Sequence, residues 1–318
     1  MKAPSCLGIC CLVVSLSSPV WAESAGAGRN GWFGDLRLGG AVVSGRPSGL
    51  EVMDDNERRE SLTAKGERQA RGVPIVAGEV GFGFERTGTT VSVGAGMETP
   101  LHLSLRQDGG AWGEVTLSAL YREQDVWKDP YLAGESRSKT KAETVGFSIN
   151  WDRIVSTGMQ LYFERMRSRV DQDLLGRLQP ELRRDGTDTT VGVGYARELG
   201  AAGIINLTQR QTWIDRQGGG NSGFGYLAGL KHLLGVGRFS FATSLDAGSV
   251  RFRRTAPVFR RNREEASFAF SETLSFADPF GWQNSYLFGV AACSKTGSNI
   301  DFFDSSGVLF GTGIGYRF

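Results

Sequence analysis

The chain has 318 residues, with 36 Lys plus Arg against 34 Asp plus Glu and only two histidines. A charge so nearly balanced excludes the basic excess typical of nucleic-acid binders, and the two histidines offer no His–Cys constellation for a metal. Forty-five glycines, roughly twice the usual share, beside nine prolines and 10% aromatic residues point to an all-β chain.

The N-terminus reads as an export signal. Lys2 is the charged start, Cys6 to Val20 form a short apolar core, and Val20-Trp21-Ala22 is a small-x-small ending, so cleavage is expected after Ala22. This divides the chain into a signal, 1–22, and a single domain, 23–318. Ile9 before Cys10 speaks against a lipoprotein. Removal of Cys6, Cys10 and Cys11 leaves Cys293 alone, so the mature chain has no internal disulfide.

Alternating runs of about ten residues then recur to the C-terminus. Leu36, Leu38 and Val42 share one parity; Val80, Phe82 and Phe84 another; then Val91 and Val93. Val115, Leu117 and Tyr121 oppose Glu114, Thr116 and Ser118, and Val145, Phe147, Ile149 and Trp151 oppose Gly146, Ser148 and Asn150. The pattern continues through Val191 and Val193, Phe224 and Tyr226, Phe239 and Phe241, and Phe268 and Phe276. The last run sets Val308, Phe310, Ile314, Tyr316 and Phe318 against Gly311, Gly313, Gly315 and Arg317.

A soluble sandwich would also alternate. Three features favour a transmembrane barrel. The runs approach the roughly 9–11 residues of a tilted membrane strand. Trp151, Phe276, Trp282 and Tyr316 sit at run ends, as interfacial girdles do. Tight turns near 86–88, 107–110, 200–202, 234–236 and 278–280 alternate with long polar connectors at 46–72, 124–141, 170–187, 253–264 and 293–305. Short periplasmic turns and long extracellular loops are the outer-membrane pattern. The expected fold is a single antiparallel outer-membrane β-barrel of 14 strands, or 12 if the weakest pair merges. Glu272 breaks an apolar parity and suggests a bulge there, and Cys293 is expected to face inward near the mouth.

Few residues suggest chemistry. His102 and Ser104 share a face of one run, a spacing found in some outer-membrane lipid hydrolases, with Glu114 as a candidate third member. The apolar Leu101, Leu103 and Leu105 should face lipid, which turns His102 and Ser104 inward, so a polar lumen pair is the favoured reading and no enzyme is expected. Asp301 and Asp304 could bind a divalent ion, but an acidic loop at the mouth is favoured. No cofactor is expected. Arginine is the better clue. Arg165, Arg167 and Arg169 end one run, Arg251, Arg253 and Arg254 end another, and Arg260, Arg261 and Arg263 open the next. Three roles stand open for them: contact with lipopolysaccharide phosphates, a basic vestibule for anions, or a solvated rim paired with Glu164, Glu264 and Glu265.

Four stretches carry a narrower resemblance: Trp127-Lys128-Asp129-Pro130-Tyr131-Leu132-Ala133-Gly134-Glu135-Ser136-Arg137, Leu182-Arg183-Arg184-Asp185-Gly186, Pro257-Val258-Phe259, and Ser298 to Asp304. With the Tyr316-Arg317-Phe318 end, they resemble a Gram-negative outer-membrane family, domain of unknown function 2860, over nearly all the mature chain. The final acidic motif of that family tends to read Phe-Tyr-Asp where this chain has Phe302-Phe303-Asp304. The resemblance implies a porin-like barrel and brings no catalytic residues.

The reading reached is a passive channel for small hydrophilic solutes in the cell outer membrane, with an anion preference if the arginines form a vestibule. The alternative is a closed barrel acting through its surface loops. Trp127, Asp129 and Arg137 would belong to a constriction loop, in which Asp129 and Arg137 could pair. Tyr316 and Phe318 would be the signal for the barrel-assembly machinery. Partners are outer-membrane lipid, lipopolysaccharide and small solutes.

Overall fold

The computed structural model describes residues 30–53, 56–96 and 101–318. The expected signal and its cleavage after Ala22 lie outside the described residues. Fourteen antiparallel strands close into one barrel, each paired with its sequence neighbours and the first with the last. They are β1 (Gly31–Arg46), β2 (Gln69–Phe84), β3 (Thr89–Ala95), β4 (Leu101–Asp108), β5 (Glu114–Trp127), β6 (Lys139–Asp152) and β7 (Met159–Val170). The second half is β8 (Gly186–Glu198), β9 (Ile204–Arg216), β10 (Gly223–Val236), β11 (Phe239–Ala256), β12 (Arg261–Ala277), β13 (Ser285–Ser298) and β14 (Ser305–Arg317). The one α-helix described, α1 (Leu174–Leu178), lies in the β7–β8 connector.

The alternation builds two unlike walls. Leu36, Leu38, Val76, Val93, Leu103, Leu117, Phe147, Leu161, Val193 and Phe310 point outward and are exposed. A barrel with such a band exposed is stable only with lipid against it. At the short-turn end Trp32, Trp112, Phe280 and Trp282 stand out from the wall.

The glycines of β14 have a specific use. Gly311, Gly313 and Gly315 face inward, and a Cβ on them would run into Val290, Phe288 and Tyr286 of β13 respectively. Those side chains therefore lie flat against the wall, packing with Ala41, Val43, Ile75 and Leu309. On the outer face the Phe318 ring covers Gly34 in the same way. Phe318 also exchanges both backbone hydrogen bonds with Gly34, at 3.0 and 3.1 Å, so the last residue closes the barrel.

Three expectations are corrected. No bulge lies at Glu272: the β11–β12 register is continuous there, Glu272 faces Thr243, and the irregularity falls between Arg251 and Thr255. The Thr243 hydroxyl donates to Glu272 at 2.5 Å, which satisfies a polar group on the outward face and lets the register continue. The turn placed at 234–236 is at Gly237-Arg238, because Gly237 supplies the positive φ of 58° that a two-residue hairpin loop requires. The long connector expected over 253–264 shrinks to 257–260, since both flanking strands extend past the apolar band.

Candidate functional site

The inward face is a wall of small hydroxyls. Thr90, Ser92, Ser148, Thr190, Ser240, Ser244, Ser271 and Ser275 are all recessed in it. Cross-strand hydroxyl pairs recur around the ring, with Ser104–Ser118 at 2.7 Å, Thr144–Ser168 at 2.9 Å and Thr190–Thr212 at 2.9 Å. Between β2 and β5 the wall opens into a cavity of about 270 Å³ lined by Glu79, Thr90, Ser92, His102, Ser104 and Arg106, among others. His102 and Ser104 thus point inward together, as their parity requires. Glu114 is engaged elsewhere, by Arg106 at 3.4 Å and Arg153 at 3.4 Å, so the third member expected of a triad is committed to two arginines.

Several inward charges are matched. Arg37 and Arg317 both hold Asp35, at 3.0 and 3.3 Å. Arg216 holds Asp188 at 2.6 Å. Arg263 meets Glu265 at 3.0 Å.

A cap spans the long-loop end. The β5–β6 and β11–β12 connectors leave walls six positions apart in a ring of fourteen, nearly opposite. Yet Tyr131 of the first and Phe259 of the second meet with ring centroids 5.6 Å apart. Such a contact is possible only if the loops cross the mouth. Phe302 and Phe303 of the β13–β14 connector complete the cluster, with Ile300, Leu50 and Leu62 around it. Phe302 is fully buried.

Arg137 pins the cap. Its guanidinium donates to the carbonyls of Gly49 at 2.8 Å, Pro130 at 3.0 Å and Asn56, and lies 4.3 Å over the Trp127 ring. Trp127 Nε1 donates to Glu51 O at 2.8 Å. Burial, with Arg59 nearby as a second cation, pushes Arg137 down to about 10, and burial pushes the Tyr131 phenol up to about 12. Arg184 bridges Asp173 at 2.8 Å to the carbonyls of Trp127 and Lys128 at 2.7 and 3.2 Å, which ties in α1. The expected Asp129–Arg137 pair does not form. Asp129 instead accepts from the Tyr131 backbone N–H at 2.8 Å and shapes the turn, while Arg137 is consumed by carbonyls.

The nine singled-out arginines separate. Arg165, Arg167 and Arg169 are on the outward parity of β7, and Arg251, Arg253, Arg254, Arg260 and Arg261 are exposed. Only Arg263 turns in, between the Phe252 and Phe303 rings at 3.5 and 4.1 Å. Asp301 and Asp304 receive Lys65, at 3.6 and 2.7 Å, where a divalent ion was considered. Cys293 corrects its expectation: it pairs in register with the outward Phe270 and Val308 and so faces outward.

Residues 31–317 match the family described as "Protein of unknown function (DUF2860)". The chain belongs to this family. No curated protein matches it. Among solved structures, the CymD monoaromatic hydrocarbon channel is similar at 8% identity and TM-score 0.49, over 91% of this chain and 89% of that one. A Pseudomonas aeruginosa FadL homologue is similar at 11% and 0.43, over 90% of each chain. An anion-selective porin from Comamonas acidovorans is similar at 11% and 0.40, over 90% of this chain and 98% of that one. The closed ring of fourteen antiparallel strands with its exposed apolar band is the fold of an outer-membrane β-barrel.

In the DUF2860 chain the four stretches that carried the resemblance come together in the cap. Trp127, Tyr131 and Arg137 come from the first, Arg184 from the second, Phe259 from the third, and Phe302 and Phe303 from the last. Sequence reasoning missed Arg59, Gly49 and Leu62 in the 47–68 connector. Its polar composition gave no signal, because their role arises only from chain ends brought over the mouth.

Proposed function

We propose that this barrel is a channel for small hydrophilic solutes whose extracellular mouth is narrowed by the cap. The hydroxyl-lined inward wall carries the reading. A solute losing part of its hydration shell meets fixed donors and acceptors at every level of the wall. Several inward arginines are paired with carboxylates, so the expected discrimination between anions and cations is weak. The arginines on which an anion preference would rest are mostly outward or exposed. Residues 1–22 are proposed as the export signal, cleaved after Ala22, and Tyr316 and Phe318 as the signal for the assembly machinery.

The test is single-channel conductance of the refolded protein in a planar bilayer, for the native chain and for a variant lacking residues 127–137. Small steps that grow on deletion support a capped channel. Silence of both, from demonstrably folded barrels, would sink it. That outcome favours the second reading, a closed barrel working through its loops. The observation behind that alternative is the Tyr131–Phe259 contact across the mouth.

A further inference from the structure

We infer that the outward face of β7 is a binding site for the phosphorylated head group of an outer-leaflet glycolipid. On one parity β7 presents Met159, Leu161 and Phe163, then Arg165, Arg167 and Arg169. All three arginines are exposed, and none is in an ion pair among the described residues. Alternate residues of a strand stand about 7 Å apart, so the three guanidinium groups form a row rising directly from the apolar band.

The neighbouring strands fix the level of that row. Arg165 lies between Phe147 of β6 and Thr189 of β8, and Arg167 between Val145 and Thr187. Phe147 and Phe163 pack with ring centroids 5.7 Å apart just below. Acyl chains would rest on that aromatic and aliphatic surface, and the head group would lie on the arginines. The outward hydroxyls of Thr187 and Thr189 add two further donors.

The other two roles considered for these arginines lose their basis. A vestibule needs side chains facing in, and the inward parity of β7 belongs to Tyr162, Glu164 and Met166. A self-neutralised rim needs carboxylates, yet Glu164 accepts from the Tyr162 hydroxyl at 2.7 Å and Glu265 faces inward to Arg263. Glu143 is the one acidic cross-strand neighbour, beside Arg169. A row of unpaired cations repels itself and requires anions from outside the chain. Guanidinium forks match phosphate oxygens bidentately, with fixed geometry. Arg251 differs, because Glu264 stands 3.9 Å away.

The experiment uses the refolded barrel in detergent micelles, with its fold checked by heat-modifiable gel mobility. Binding of diphosphorylated lipid A is followed by native mass spectrometry, against enzymatically dephosphorylated lipid A. The triple variant R165Q/R167Q/R169Q should bind the phosphorylated lipid at least about tenfold more weakly, given the charge-assisted bonds lost. R165K/R167K/R169K, which keeps the charge but loses the forks, should fall between. Dephosphorylated lipid should bind the native chain as weakly as phosphorylated lipid binds the glutamine variant. Inorganic phosphate at matched concentration should displace little. Equal binding by the folded glutamine variant, or equal binding of dephosphorylated lipid, would overturn the inference. Full displacement by inorganic phosphate would also overturn it, by assigning the row to free anions. Conductance is expected to be unchanged in these variants, so the outcome is independent of the channel reading.

Discussion

Arg137→Ala is the sharpest probe of the cap. In the native chain Arg137 is 2% exposed and its guanidinium serves three buried carbonyls, of Gly49, Pro130 and Asn56, as well as the face of Trp127. Truncation leaves those carbonyls without their donor, at about 1–3 kcal/mol for each that water cannot reach. It also removes the stacking, worth about 1 kcal/mol, and opens a void. Against this, a buried cation disappears, and with it a desolvation cost that shows in the depressed pKa of Arg137. The net loss expected is about 3 kcal/mol, or roughly a 100-fold rise in the open-cap population. Strand pairing is untouched, so the barrel should remain folded. Hydrogen exchange separates the two levels. The amides of Gly134 and Arg137, which donate to Arg59 O and Glu57 O at 2.7 and 2.8 Å, should exchange about 100-fold faster while those of β12 and β13 stay protected. Arg137→Lys should behave nearly as Ala, since an ammonium cannot spread to three in-plane carbonyls. Unchanged exchange over 128–138 in a folded variant would refute the pinning role.

Alkaline pH offers a second handle on the cap. Burial raises the Tyr131 pKa to about 12, so its contribution is complete below the unfolded value near 10 and is lost as pH rises through 12. Arg137, with its pKa lowered to about 10, works in the opposite direction, contributing more as pH rises from 10. Tyr131→Phe should therefore remove the alkaline loosening of loop 128–138 in tryptophan fluorescence, and an unaltered pH profile would count against it. Gly315→Ala should cost about 1–3 kcal/mol in urea unfolding, because the new Cβ meets the Tyr286 ring; Gly297→Ala, with open space at its Cβ, should be near neutral. Cys293 should react in vesicles with a membrane-permeant maleimide and resist a charged one; the reverse would turn its side chain back into the lumen.

Much of the fold was legible because a barrel wall is a repeating local rule. Period-two alternation set the inward and outward faces of Leu101 to Leu105 with His102 and Ser104, and the β14 glycines fell on the inner parity as expected. The strand number followed from counting runs once β3 and β4 were kept apart. The site was legible only in pieces. Trp127, Tyr131, Phe259 and Phe302 stood in the stretches that carry the family resemblance, but their meeting was not encoded locally. The same limit applies to Arg137. Asp129 is near it in sequence and was its natural partner, whereas its acceptors in the fold include Gly49 and Asn56, 88 and 81 residues away. Cys293 was misplaced because β13 turns its larger apolar residues, Tyr286, Phe288 and Val290, inward over the β14 glycines, which leaves the other parity, Cys293 included, facing outward.

What the sequence by itself determined was the export signal as an expectation, the two-faced wall, the strand count and the division into short turns and long connectors. Each depends on residues within about ten positions of one another, where period-two geometry and turn chemistry act. Tertiary structure alone decided that loops from opposite walls lock into a cap, that Arg216 and Arg317 find carboxylates on neighbouring strands, and that the β7 arginines are left without an ion pair among the described residues. Those outcomes depend on ring closure, which sets side chains far apart in the chain against each other across the mouth and between staves.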